Sequence, residues 1–149
     1  MLEKVIMVGV EKKTVKFLNL WLPVILWALI IFKFSSGVVP QASALYWPNF
    51  AFMKSAHVFF FGVLSVILYR ALRGEGLSRK KAAIWAVVLT TLYGASDEFH
   101  QMFTQGREAR VRDVFIDGIG AGLVIYLIYR FLPRFPKKIQ EFLLKLGVN

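Results

Sequence analysis

The residues best suited to chemistry are the two histidines of the chain and the carboxylates that lie near one of them. His57 and His100 are the only histidines, and Asp97 and Glu98 lie within one helical turn of His100. A histidine titrates near neutral pH, and a carboxylate that orients its ring makes it an effective general acid or base. Asp97, Glu98, His100 and His57 are therefore the candidate catalytic residues.

A second set of polar residues lies near these four and is suited to binding. Arginine and lysine bind anionic groups, whereas amide, carboxylate and hydroxyl groups exchange hydrogen bonds with a polar ligand. No serine here lies in a nucleophile-elbow pattern, so the hydroxyls are interpreted as binding groups. The candidate substrate-binding residues are Lys54, Gln101, Arg107, Asp113, Asp117, Ser35 and Ser36.

Metal ligation has weaker support in the sequence. Asp97 and His100, three residues apart, would supply half a site, and His57 could supply a second nitrogen. However, the chain has neither the HExxH spacing nor a second histidine on the same predicted helix, and it contains no cysteine. The sequence therefore predicts no metal ion and no cofactor.

The elements that must position these residues are apolar runs of membrane-spanning length. The chain has 149 residues, is 57% hydrophobic and has a mean hydropathy of +0.57, too apolar for a soluble domain of this size. Each run is close to the ~20 residues that cross the hydrocarbon core. The four runs are Phe17 to Phe34, Phe50 to Leu72, Ala82 to Phe103 and Val114 to Leu132.

We thus predict an all-α fold, a polytopic membrane protein in which four transmembrane helices form a bundle. Residues 1–16 form a cytoplasmic amino-terminal segment, residues 17–132 the transmembrane domain, and residues 133–149 a tail. In the tail, Ile139 and Leu143 share one helical face while Lys138 and Glu141 lie on the other. This pattern predicts a short amphipathic helix on the cytoplasmic membrane surface.

The distribution of basic residues predicts the orientation. Of the 19 Lys and Arg residues, 14 lie in the amino-terminal segment, the second connection and the tail, and five lie on the opposite side. Because cytoplasmic loops are enriched in Lys and Arg, both termini are predicted to be cytoplasmic. The net charge of +10 then reflects topology and contact with anionic lipids, and no nucleic-acid partner is predicted.

Helical spacing brings the polar residues together on three stripes at the outer ends of the helices. Lys54 and His57 share a face of the second helix, and Asp113, Asp117 and Gly120 share a face of the fourth. On the third helix, Asp97 shares a face with Tyr93 and with either His100 or Gln101. If the stripes face inward, they form a polar cup that is open to the outside.

A structural interpretation of the same residues is an ion-pair network that holds the helix ends together. Such a network could join Asp97 to Lys54, or Asp113 to Arg107. Gly118, Gly120 and Gly122 would allow a neighbouring helix to approach the fourth one closely beside Asp117.

The motifs resemble those of the VanZ-like membrane proteins. They occur in the family's order over about residues 22–130: Phe34-Ser35-Ser36, Lys54-x-x-His57, Asp97-Glu98-Phe99-His100-Gln101-Met102-Phe103, Gly106-Arg107, Asp113-Val114 and the glycines at 118 to 122. The chain has Gln105 where the family often has proline, and Asp117 where it often has asparagine. The second difference adds a charge to a membrane segment.

This resemblance implies a bacterial cell-envelope protein in the cytoplasmic (inner) membrane, in a family named for resistance to the glycopeptide teicoplanin. Its expected partners are membrane lipids and either a lipid-linked cell-wall intermediate or a lipoglycopeptide. Three functions stay open: an enzyme acting on a lipid-linked envelope component, a noncatalytic binder of a lipid or lipoglycopeptide, and a structural or transport component. In the third, the polar residues form a salt-bridge or proton-handling network.

Overall fold

The computed structural model describes residues 2–37, 45–105, 107, 109–145 and 148, and Gly106 of the predicted motif lies outside them. The regular secondary structure of these residues is helical, as the apolar runs predicted. The helices are α1 (Leu2–Ser35), α2 (Tyr46–Gly74), α3 (Arg79–Gln101), α4 (Val111–Phe131) and α5 (Lys137–Lys145), with a 3-10 turn at Leu132–Arg134 between the last two.

Three of these helices are long and apolar enough to cross a membrane. The spans are Lys12–Ser35, Tyr46–Gly74 and Val111–Phe131, which indicates a multi-pass membrane protein. Helix α3 is not among them, since Asp97, Glu98 and several hydroxyl side chains lower its hydropathy. The count of four spans, and the position of α5 at the membrane surface, therefore remain predictions.

Helix α1 includes most of the predicted amino-terminal segment as well as the first span. Its helical backbone begins at Leu2, so the segment predicted as a separate amino-terminal stretch continues without a break into the first span. Many large apolar side chains of α1, among them Ile25, Leu29 and Phe32, point away from the bundle. Apolar side chains facing outward are what a lipid environment favours.

The core of the bundle lies between α2, α3 and α4, which pack against one another, while α1 packs mainly on α2. Leu64 and Tyr69 of α2 are almost fully buried, and Ala82 and Ala86 of α3 are buried beside them. Small alanines on α3 allow its backbone to approach the larger side chains of α2.

A tight connection places α3 antiparallel to α2. The helix α2 ends in a turn where the Leu77 N–H donates to the Leu72 carbonyl at 3.1 Å, and Gly76 has a φ of +93°. Glycine adopts this left-handed conformation without the penalty that a Cβ imposes. The next helix then starts at Arg79, after the Ser78 cap.

Two glycines of α4 lie where neighbouring helices cross it. A Cβ on Gly120 would meet the Val58 Cα of α2 at 3.0 Å, and one on Gly118 would meet the Thr91 hydroxyl of α3 at 3.0 Å. Gly122 faces open space. The close approach predicted for the glycines therefore occurs at Gly118 and Gly120, just after Asp117, where α3 and α2 contact α4.

Candidate functional site

The centre of the candidate site is a pair formed by His57 of α2 and Asp117 of α4. The His57 Nδ1 lies 2.8 Å from the Asp117 Oδ1, and Asp117 is only 1% exposed. The Phe61 ring lies parallel to the imidazole at 6.0 Å between centroids. Because Nδ1 is engaged by the carboxylate, Nε2 is the ring nitrogen left for a ligand or a proton.

A glycine of α3 makes room for this pair. A Cβ placed on Gly94 would lie 2.9 Å from the Asp117 Oδ2 and 3.3 Å from the Phe61 ring. Any larger residue would therefore push the carboxylate or the aromatic ring out of place.

A second pair joins the same two helices one turn away. The Lys54 Nζ lies 2.6 Å from the Asp113 Oδ1, with both side chains largely buried. The spacing of three residues on α2 and four on α4 puts the two pairs side by side, in agreement with the predicted stripes. The ion pairs suggested from the sequence, Asp97 with Lys54 and Asp113 with Arg107, are replaced by this one.

Helix α3 contributes two carboxylates that face different neighbours. Asp97 accepts a hydrogen bond from the Gln101 Nε2 at 2.9 Å, whereas its Oδ1 is buried and has no partner among the described residues. Glu98 accepts the backbone N–H of Arg110 at 2.7 Å, at the start of α4. An acidic group is favourable there because the first N–H groups of a helix lack partners within the helix.

These residues form one group, which we name the polar cluster: Lys54, His57, Asp97, Glu98, Asp113 and Asp117. Its four carboxylates are at least nine-tenths buried. Within it, one donor atom each of His57, Glu98 and Asp113 lie within 4.8 Å of one another, close enough to be considered as a metal-binding group. Burial of this much charge is costly unless the groups are paired, protonated or bound to a cation.

A cavity of about 200 Å³ opens beside the polar cluster. Most of its wall is apolar, and its polar lining residues include Asp97 and His57. Within the part of the chain that the structure describes, the Ser35 Oγ is buried here without a hydrogen-bond partner, as is the Asp97 Oδ1. The lining residues are Ile31, Phe34, Ser35, Phe52, Met53, Ala56, His57, Phe60, Phe61, Asp97, Gln101 and Arg107.

Three predicted site residues, His100, Ser36 and Arg107, do not belong to the polar cluster. The His100 ring packs against Phe32 of α1 at 4.5 Å, and Gln101 rather than His100 lines the cavity with Asp97. Ser36 is exposed and donates a hydrogen bond to the Phe32 carbonyl at 2.7 Å. Arg107 reaches the cavity but also donates to the Gly37 carbonyl at 3.0 Å and to the Phe34 carbonyl, at the end of α1.

Sequence reasoning missed two contributors to the site. Gly94 was not singled out, although its missing side chain leaves room for Asp117. Phe61 was not among the candidate site residues either, but it is 2% exposed and packs on His57. The one signal available was helical spacing, since Gly94 lies three residues before Asp97 and Phe61 four residues after His57.

The described residues define a class: an all-helical, multi-pass membrane protein whose helices bury ionisable side chains at one end. The family described as VanZ/LLP1 matches residues 6–133, so the chain belongs to that family and the resemblance is confirmed. No curated protein and no solved structure matches the chain.

Proposed function

We propose that this protein binds the polar end of a lipid-linked component of the bacterial cell envelope. The observation that carries the proposal is the cavity beside the polar cluster, where a mainly apolar wall adjoins buried, unpaired polar atoms of Ser35 and Asp97. An amphiphile satisfies both parts of such a wall, since its chain contacts the aromatic residues and its headgroup supplies the missing hydrogen bonds.

The size of the cavity limits what it holds. Its volume of about 200 Å³ is below the ~300–1,000 Å³ of ordinary small-molecule pockets. It would therefore hold a headgroup or a short stretch of chain, and the rest of the ligand would lie in the bilayer. The aromatic residues Phe34, Phe52 and Phe60 are the wall along which a chain would leave.

The location follows from the charge distribution of the sequence. We place the protein in the cytoplasmic membrane with both termini in the cytoplasm and the polar cluster near the outer surface, because 14 of 19 basic residues lie on the other side. A site in that position would meet lipid-linked intermediates after they reach the outer leaflet.

Neighbouring serines provide a matched test of ligand binding. Ser35 is buried in the cavity wall, whereas Ser36 is exposed and bonded to its own helix. In native mass spectrometry of the purified protein with envelope lipids, Ser35→Ala and Asp97→Asn should reduce retained lipid at least several-fold, and Ser36→Ala should retain it like wild type. Equal lipid retention by all variants would contradict the proposal.

A second candidate function is catalysis, and the His57–Asp117 pair favours it. A carboxylate at 2.8 Å from Nδ1 orients the ring so that Nε2 can accept a proton from a hydroxyl or a water in the cavity. Envelope lipids incubated with wild-type protein should then yield a product that His57→Gln and Asp117→Asn lose. If lipid bound undiminished but no product formed, only the binding function would remain supported.

Glycopeptide resistance is the biological setting proposed from the family. Expression in a teicoplanin-sensitive bacterium should raise the inhibitory concentration, and Asp97→Asn should abolish the increase at equal membrane abundance. If resistance persisted in this variant, the phenotype would not depend on the cavity.

A further inference from the structure

We propose that His57, Glu98 and Asp113 bind a divalent transition-metal ion of the zinc or manganese type. Each residue comes from a different helix, α2, α3 and α4 respectively. The proposal departs from the sequence-based prediction of no metal, and it does not depend on the proposed lipid ligand. One imidazole nitrogen and two carboxylate oxygens form a donor set that suits these metals.

The distances allow a metal to be bound after small side-chain movements. The three donor atoms lie within 4.8 Å of one another. Ligands at ~2.0–2.2 Å from a tetrahedral zinc lie about 3.4 Å apart. The donors would have to converge by at most about 1.4 Å, a change within the reach of side-chain rotation.

Each proposed ligand is already held by a second group. The His57 Nδ1 is bound to Asp117, the Glu98 Oε2 accepts the Arg110 N–H, and the Asp113 Oδ1 is paired with Lys54. Metal-binding histidines and carboxylates usually have such outer contacts, which orient the ligand and leave its other polar atom for the metal. In this arrangement the other nitrogen of His57 and one other oxygen on each carboxylate can face the ion.

The charges of the polar cluster also favour a bound cation. It contains four buried carboxylates against one lysine, so with His57 neutral, as metal binding requires, it has three more negative than positive groups. Arg107 and Arg112 border the cluster, but the Arg112 side chain is half-exposed and its Nε lies 3.7 Å from Asp113. A divalent ion would offset most of this charge in surroundings where unpaired carboxylates are costly.

Unpaired buried oxygens are an independent indication of a ligand. The Asp97 Oδ1 and the Asp117 Oδ2 have no hydrogen-bond partner in the described ranges, and both residues are at least nine-tenths buried. Asp97 lines the cavity together with His57, one of the three proposed ligands. A metal-bound water or the ion itself would satisfy such an acceptor.

Metal content measured directly on the purified protein tests this proposal. The chain is purified through a tag without histidine, stripped with EDTA, equilibrated with Zn²⁺ or Mn²⁺, desalted and analysed by inductively coupled plasma mass spectrometry. We expect about one ion per chain, and metal addition should raise the thermal midpoint. No retained ion in wild type with either metal would overturn the proposal.

Variants locate the ion. Glu98→Gln and Asp113→Asn should each weaken metal affinity more than tenfold, and Asp117→Asn, which alters an outer contact, about tenfold. Glu75→Gln is the matched control, a carboxylate substitution at the opposite end of α2. Circular dichroism and size-exclusion elution identify variants that have lost their fold. If the folded Glu98 and Asp113 variants retained as much metal as the wild-type protein, the result would contradict this site.

Discussion

Lys54 and Asp113 lie 2.6 Å apart with side chains 16% and 8% exposed, whereas Lys16 and Glu75 lie 3.1 Å apart with side chains 53% and 35% exposed. About 30 Å of helix α2 separates the two pairs, close to the thickness of the hydrocarbon core. One end of the bundle thus buries its charges among three helices. The other end, which we name the basic end, leaves them on the surface at the junctions of α1, α2 and α3.

The difference shows which ion pairs carry information about function. An exposed pair such as Lys16 with Glu75 costs little to form and contributes little to stability. Buried charges carry a large desolvation cost, so a fold that keeps four buried carboxylates does so at the expense of stability. Groups of this kind are concentrated at functional sites in membrane proteins. The polar cluster, rather than the basic end, is therefore where function is to be sought.

The largest expected effect is an all-or-none difference in labelling between the two ends. Gln105→Cys, near the polar cluster, should react with a membrane-impermeant thiol reagent in intact cells. Lys80→Cys, at the basic end, should react only after permeabilisation, because basic loops stay in the cytoplasm. Measurement is simple since the chain has no cysteine of its own. The opposite labelling pattern would reverse the proposed orientation.

The next largest effect concerns the buried pair. Asp117→Ala should lower the free energy of unfolding by about 3 kcal/mol, because it removes the partner of His57 in a nearly inaccessible position. Denaturation in mixed micelles measures the change. A double-mutant cycle with His57→Ala should give a coupling of at least ~1 kcal/mol. Independent, additive effects would mean that the pair is not an energetic unit.

A smaller effect is expected from adding one methyl group beside Asp117. Gly94→Ala should destabilise the protein by about 1–3 kcal/mol, because the new Cβ would lie 2.9 Å from the Asp117 Oδ2. Gly122→Ala is the control, since no atom lies within 4 Å of its added Cβ. The control should equal or slightly exceed wild type, as alanine favours helix over glycine. Identical effects of the two substitutions would contradict the described packing around Asp117.

The smallest effect belongs to the basic end and depends on pH. Hydrogen bonds from Lys16 and Trp21 hold the pKa of Glu75 below its ordinary value of 4.5. A lowered pKa in the folded state stabilises it above pH 4.5, and this contribution is lost as the pH falls through the lowered value. Glu75→Gln should therefore reduce the thermal midpoint slightly at neutral pH and make no difference once the pH is well below the lowered pKa. A difference in thermal midpoint between wild type and Glu75→Gln that grew as the pH fell would contradict this prediction.

Much of the fold could be predicted from the sequence, because hydropathy over about 20 residues reports a helix in lipid whatever surrounds it. The exception is α3, whose composition alone does not distinguish a spanning helix from a buried one. Helical spacing also placed Lys54 with His57, and Asp113 with Asp117, since residues three or four apart share a face.

The partners of those residues could not be predicted, because pairing depends on how the helices are rotated about their axes. The tertiary structure decided that Lys54 meets Asp113 rather than Asp97, and that Gln101 rather than His100 adjoins the cavity. It also brought donor atoms of His57, Glu98 and Asp113 within 4.8 Å from three separate helices. The sequence by itself determined the helices and their polar faces, since both follow from short-range periodicity. Only packing around Gly94, Gly118 and Gly120 decided which polar faces meet.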